Sequence, residues 1–247
     1  MRNRTIALTG AAGSVGRYLR PQLGDLGTLR LLDVRPDTPE FELVDLRDLE
    51  TTTDAFTGCD VVVHLGGLPS EASLETHIDA NLRTCAVVFE AALRAGVPRV
   101  VWASSAHVTG YLLTSEMAGP ESLPRPDTFY GVIKAAGEGL ASLYADKYGL
   151  TMISVRLGAV LGRPRTVSDL ASWLSPGDAG RLFRACITGP ASGHTIVYGC
   201  SDNPHRYFDL RSANKLGYSP QDNAEDYADD VYPDAGWQWQ GGEFTDY

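Results

Sequence analysis

The chain has 247 residues and a formal net charge of -10, with 43% hydrophobic and 21% charged residues. That length suits one large α/β domain with a sizeable core, or at most two small ones. The acidic balance argues against nucleic acid or an anionic membrane surface as a partner, because both demand clustered positive charge. No apolar run approaches the roughly 20 residues needed to span a bilayer, and the first residues lack a signal-peptide pattern. Cys59, Cys85, Cys186 and Cys200 form no C-x-x-C pair and have no histidine at ligand spacing. Reduced thiols, no metal and a cytoplasmic location are therefore expected.

Short apolar runs then alternate with helical patterns, as in repeated βαβ units. Residues 5–9 read as a buried strand. Residues 14–26 read as a helix, with Val15, Leu19 and Leu23 at helical spacing. Strands are predicted over 29–33 and 42–44. Another covers 60–65, where three consecutive valines suggest burial on both faces. A long alanine-rich helix is predicted over 74–95, and a strand over 99–103. A second long helix covers 129–148, closed by Gly149, and a sixth strand covers 151–156. After Gly162 the rhythm breaks, and a Pro-, Gly- and Ser-rich stretch runs to Asp178. A helix over 179–186, a strand over 195–198, a short helix near 209–215 and an acidic, aromatic tail follow. The expected organisation is a Rossmann-type, doubly wound parallel sheet over 1–162. Residues 163–247 form a small substrate-covering and interface region, too short for a core of its own.

Two constellations carry chemistry. Gly10, Gly13 and Gly16 are spaced G-x-x-G-x-x-G between the first strand and first helix. Such a loop turns tightly, admits a pyrophosphate to the backbone, and packs the helix on the sheet. Ser14 and Val15 would offer helix N-terminal N–H groups to the phosphates. Asp33 ends the second strand, where a carboxylate would accept from ribose hydroxyls and repel a 2′-phosphate; NAD is favoured, although Arg35 is near and a solvated turn residue is the bland alternative. Asp45 and Leu46 suit either the adenine or a surface loop. The second constellation is Tyr130 and Lys134, four apart on one helix face. An ammonium there favours the phenolate, which can take a proton from a substrate hydroxyl as hydride leaves the carbon. The chain has eleven tyrosines and only three lysines, Lys134, Lys147 and Lys215. Ser104 and Ser105 end the fifth strand. Gly13, Gly66, Ser105 and Tyr130 should thus gather at the carboxyl edge of the sheet, where such folds bind ligands.

These motifs, together with the run His64, Leu65, Gly66, Gly67 and with Asn81, resemble the extended short-chain dehydrogenase/reductase family over nearly the whole chain. Within it the chain is similar to uronate dehydrogenases. The stretches that carry this are 64–67, 103–107, Gly110-Tyr111, 125–127 before Tyr130, Ser172-Trp173, 222–225 and 240–244. The resemblance implies NAD-dependent oxidation of a cyclic sugar's C1 hemiacetal to a lactone. Tyr130 would be the base, Lys134 the ribose ligand and Ser105 the ligand of the reacting oxygen. Leu65, Gly66, Gly67, Asn81 and Ser104 would line the cofactor; Asn81 reads equally as a buried helix polar residue. A homodimer or larger assembly is also implied, through the alanine-rich helix faces.

The pocket departs from that pattern. Uronate dehydrogenases carry serine at the place of Pro69, asparagine at Ala106, serine at Ala159, and a carboxylate-gripping arginine at Ser168. His107 is kept, as a substrate contact or a satisfied strand-end histidine. Without a bidentate cation a carboxylate loses its strongest anchor, unless Arg163 or Arg165 replaces it. A neutral lactol, such as a pentose or a modified sugar, is therefore a candidate beside a uronate. A sugar-nucleotide epimerase or dehydratase, and a non-catalytic NAD-binding protein, are the rival readings.

Overall fold

The computed structural model describes residues 3–35 and 39–246. Four parallel strands start the sheet: β1 (Arg4–Thr9), β2 (Gly27–Asp33), β3 (Phe41–Leu43) and β4 (Val61–His64). Between them run α1 (Ser14–Leu23), after β1, and α2 (Leu49–Phe56), before β4. A long helical segment follows β4, as α3 (Leu74–His77), one π-helical turn (Ile78–Arg83) and α4 (Thr84–Arg94). Then come β5 (Arg99–Ser105), α5 (Phe129–Tyr148) and β6 (Thr151–Leu157). Beyond them lie β7 (Ala159–Val160), α6 (Asp169–Ser172), β8 (Trp173–Leu174), α7 (Pro176–Thr188), β9 (His194–Gly199) and α8 (Arg211–Lys215).

The main sheet has seven strands in the order β3-β2-β1-β4-β5-β6-β9, and β7 pairs with β8 in a small second sheet. Every pairing in the main sheet is parallel. The order reverses between β1 and β4, so Thr9 lies beside His64 at their carboxyl ends. Crevices at such reversals are where ligands enter open α/β sheets. Period-two alternation sorts the core onto two faces. On β1, Ile6 and Leu8 join the layer under α1 and α7, while Ala7 joins the layer under α2, α4 and α5. Because β9 extends the sheet and Phe183, Tyr198 and Phe208 enter the first layer, the second part of the chain shares its core with the first.

Three local features differ from expectation. Helix α2 lies where no element was predicted, and its run of three threonines disfavours helix. Asp48 caps it by accepting from Thr51 N–H at 3.0 Å, and Thr52 and Phe56 bury fully. The helix predicted over 74–95 carries a π turn at its second turn. The stretch before Asp178 is partly regular: Ser175 caps α7 by accepting from Asp178 N–H at 2.8 Å, with Pro176 just inside the helix. The αL stop at Gly149 is present, with φ of 75°.

Candidate active site

The glycine loop leaves β1 at Gly10, whose φ is 67°. A Cβ there would stand 2.7 Å from Gly66 N, so the loops after β1 and β4 touch backbone to backbone. At Gly16 a Cβ would stand 2.5 Å from Ala11 O. Gly13 caps α1 without a side-chain hydrogen bond, so the first N–H groups of the helix, at Ser14 and Val15, have no side-chain cap. Asp33 secures the loop, accepting from Ala12 N–H at 3.0 Å and from Arg35 N–H at 3.0 Å. Each of its oxygens keeps a lone pair for a further donor. Leu46 is buried against Gly66. Asp45 is clamped by Arg47, at 3.0 and 2.7 Å, and Arg47 continues to Asp79 at 3.4 Å.

Asn81 sits in the π turn and is buried. Its Oδ1 accepts from Leu68 N–H at 2.7 Å and its Nδ2 donates to Leu68 O at 3.1 Å. The same Nδ2 is 2.8 Å from His77 Nδ1. A Cβ at Gly67 would stand 2.5 Å from Asn81 Oδ1. Asn81 thus fixes the loop 66–68 by both ends of its amide, and π turns of this kind recur at functional sites. Pro69 follows on the exposed part of that loop.

Tyr130 and Lys134 lie on the first two turns of α5, which Thr128 caps by accepting from Gly131 N–H at 3.0 Å. Lys134 is buried, and its Nζ donates to Ala103 O at 2.6 Å. The ammonium lies 5.3 Å from the Tyr130 ring centroid and 4.9 Å from that of Trp102. Two of its three N–H donors remain for a ligand. Its buried neighbours stay neutral: burial, helped by the ammonium, pushes His64 down to about 3, and burial pushes the Cys85 thiol up. His64 Nδ1 is 2.7 Å from Thr9 Oγ1.

Ser105 and His107 face α5 from the end of β5. Ser105 Oγ accepts from His107 N–H at 3.2 Å, with Ala106 between them opening a 3-10 turn. The His107 and Tyr130 rings stand 6.1 Å apart. Behind His107, Asp127 Oδ2 accepts from Nδ1 at 2.8 Å. From the tail, the Phe244 ring meets the imidazole in a T-shaped contact, with the centroids 4.8 Å apart. The tail is held as a strap: Gln240 N–H donates to Leu112 O at 2.9 Å and Gly241 N–H to Gly110 O at 2.9 Å. Ala159 and Ser168 come from other elements. Ala159 pairs with Trp173 in the small sheet, and Ser168 N–H donates to Asp234 Oδ2 at 2.8 Å. The structure thus gathers the loop glycines, Asn81, Ser105, His107, Tyr130 and Lys134, and places Ala159 and Ser168 on flanking segments.

Ser104 faces away from Ser105, and its Oγ donates to Glu138 Oε1 at 2.7 Å. Glu138 also accepts from Arg156 Nε at 2.9 Å and Nη2 at 2.8 Å. Arg156 Nη1 donates to Tyr198 OH at 3.0 Å, which lies 2.8 Å from Thr109 Oγ1. This buried network joins α5, β5, β6 and β9 beneath the site. Glu138, Arg156, Tyr198 and Thr109 escaped the sequence reading, which gave Asp127 a place in the stretch 125–127 but no role, and which expected Ser104 at the cofactor rather than on Glu138. The available signals were Glu138 one turn beyond Lys134 and an arginine inside the apolar run 151–157.

The donor set suits a dinucleotide. The uncapped start of α1 offers N–H groups to phosphates, Asp33 offers lone pairs to ribose hydroxyls, and Lys134 holds two spare donors at the opposite end. Comparison with known proteins agrees. The NAD dependent epimerase/dehydratase family model matches residues 6–176. A uronate dehydrogenase of Pseudomonas syringae pv. tomato is 37% identical over 257 residues, covering 97% of this chain and 92% of that one. An L-arabinose 1-dehydrogenase (NAD(P)(+)) of Haloferax volcanii is 32% identical over 246 residues, covering 89% and 97%. A mutant uronate dehydrogenase from Agrobacterium tumefaciens, solved in complex with NAD, superposes with a TM-score of 0.92 at 35% identity, covering 99% and 97%. The chain therefore belongs to the NAD dependent epimerase/dehydratase family, the extended short-chain dehydrogenases/reductases, and is an NAD-dependent oxidoreductase of that type.

Proposed function

We propose that the chain oxidises the C1 hydroxyl of a cyclic sugar hemiacetal to the lactone, and that the sugar is neutral. The observation that carries the first part is the convergence of Ser105, Tyr130 and Lys134 at the end of β5. NAD, when bound, supplies the hydride acceptor. Ser105 Oγ donates to the C1 oxygen and holds it near Tyr130. Tyr130 removes the hydroxyl proton as the C1–H bond breaks, and the C1–O bond becomes a carbonyl. Lys134 binds the nicotinamide ribose with its spare donors. Asn81 keeps the loop 66–68 rigid beside the cofactor.

The neutrality of the sugar rests on the loop around Ser168. There, where the resemblance puts a carboxylate-binding arginine, the backbone N–H already holds the Asp234 carboxylate. Hydrogen bonds from Ser168, Gly236 and Thr166 outweigh burial and keep Asp234 below the usual carboxylate range, hence charged. A second carboxylate brought there would meet like charge. The L-arabinose dehydrogenase among the relatives supports the same reading.

The test is NADH formation, followed by its near-UV absorbance, with a panel of free aldoses and uronates. Wild type should turn over neutral aldoses. Tyr130→Phe should lose at least about 100-fold in kcat, the scale of one general base, while still binding NAD. Turnover confined to uronates would refute the neutral pocket and leave Arg163 or Arg165 as the anchor. No NADH from any sugar, with NAD bound tightly, would favour an epimerase or a non-catalytic binder.

A further inference from the structure

We propose that Asp127 is a positioning residue that acts through His107. It fixes the imidazole proton on Nδ1 and leaves Nε2 as an acceptor that selects a substrate hydroxyl over a carboxylate. The selection half of this rests on the neutral-sugar reading above; the positioning half does not.

The first observation is chemical. An ionised carboxylate only accepts hydrogen bonds. Asp127 Oδ2 is 2.8 Å from His107 Nδ1, so Nδ1 carries the proton. In the neutral ring Nε2 is then a bare lone pair, and no described residue donates to it or accepts from it.

The second observation is that the fold makes room for this carboxylate. The Asp127 side chain is 0% exposed. A Cβ at Gly110 or at Gly241 would overlap its Oδ2. Thr128 Oγ1 donates to its Oδ1 at 3.1 Å, and Thr128 also caps the helix that carries Tyr130. A carboxylate stripped of water this far is costly unless hydrogen-bonded, and His107 and Thr128 supply the bonds. Two glycines from distant segments, one of them in the tail, admit it.

The third observation concerns the ring's orientation. Asp127 holds one edge of the imidazole, and Phe244 packs against it from the tail. The Tyr130 ring lies beyond, at 6.1 Å. The remaining polar atom of His107 therefore serves the space beside the base. A hydroxyl there donates to Nε2, whereas a carboxylate would face a lone pair with the Asp127 charge behind it.

The experiment has two arms on the full chain. In the first, long-range proton–nitrogen NMR at about pH 8 reads the tautomer, with His107 assigned by its loss in His107→Gln. Wild type should show a protonated Nδ1 and a bare Nε2, and Asp127→Asn should disturb that pattern. A protonated Nε2 in wild type, whether as the other tautomer or as the imidazolium, overturns the proposal. In the second arm, Asp127→Asn should raise KM for the oxidised neutral aldose about tenfold, the worth of one hydrogen bond. kcat should change little, and the same substitution in the His107→Gln background should change nothing further. An equal loss in both backgrounds would mean that Asp127 only supports the fold, and would overturn its action through His107. Turnover of uronates alone, with the bare Nε2 still observed, would overturn the neutral-sugar reading and the selection role while upholding the positioning role.

Discussion

The pair Glu138 and Arg156 offers a quantitative test of what holds α5, the helix of Tyr130 and Lys134, to the sheet. Their side chains are 7% and 1% exposed and share two hydrogen bonds, of 2.9 and 2.8 Å. Glu138→Gln keeps the shape and removes the negative charge. The guanidinium then stays buried without its counter-charge, which costs about 3–5 kcal/mol in comparable sites. Against a total stability of roughly 5–15 kcal/mol that is a large fraction. Replacing both residues, as Glu138→Leu with Arg156→Met, removes the unpaired charge and should recover most of the loss, because such pairs are often neutral against apolar isosteres. Equilibrium urea unfolding followed by tryptophan fluorescence measures both. With an m-value of about 3 kcal/mol/M, the single variant should lower the midpoint by roughly 1 M or more. A single-variant loss under about 1 kcal/mol would refute the reasoning. So would a double variant less stable than the single one, because that would make Ser104 and Tyr198, not the charge, the source of the effect.

Two further outcomes follow from the site. His64 is held at about 3 by burial and the Lys134 ammonium, below the ordinary value of about 6.5. The unfolded chain therefore takes up that proton first, so the contribution is whole above about pH 6.5 and is lost as pH falls toward 3. The loss is of order 1 kcal/mol per pH unit, and urea unfolding from about pH 7 to 4 should show a shallower decline in His64→Asn than in wild type. Parallel declines would sink the assignment. Gly10→Ala must place a Cβ at φ of 67° and 2.7 Å from Gly66 N. It should weaken NADH binding, read by fluorescence titration, at least tenfold, given about 1–2 kcal/mol for the backbone alone; unchanged affinity would mean that the two loops separate at no cost.

Much of the architecture was legible because the signals were local. The valine run of β4, the glycine spacing after β1 and the Gly149 stop each act within a few residues. Helix α2 was not legible, because its threonines oppose helix and only burial of Phe56 and the Asp48 cap decide the matter. The π turn was hidden for a similar reason: one extra residue in a turn leaves the alanine-rich pattern intact, and its purpose lies in the amide bonds of Asn81 to a loop thirteen residues earlier. In the site, Tyr130 and Lys134 announced themselves by spacing on one helix. Asp127 did not, because its partner His107 lies twenty residues away and the room it occupies depends on a glycine in the tail. Ser104 was read as a cofactor contact beside Ser105, yet alternation along β5 turns the two hydroxyls to opposite faces and Ser104 bonds Glu138 instead.

The strap that carries Phe244 is tied down through its main chain. Its hydrogen bonds to Gly110 and Leu112 come from backbone N–H groups, and they persist whatever side chains the strap displays. Gly241 and Gln240 are exceptions, because Asp127 fills the space at Gly241 and the Gln240 side-chain amide donates to Leu113 O at 2.9 Å and Glu116 O at 2.8 Å. One wall of the pocket can therefore change composition at positions such as 244 with little disturbance to the sheet, the glycine loop or Lys134. On the proposed function, the sugar contact at position 244 would be exchangeable while Tyr130 and Lys134 stay as they are, so new sugars could be tried by evolution, or by mutagenesis, without rebuilding the reaction.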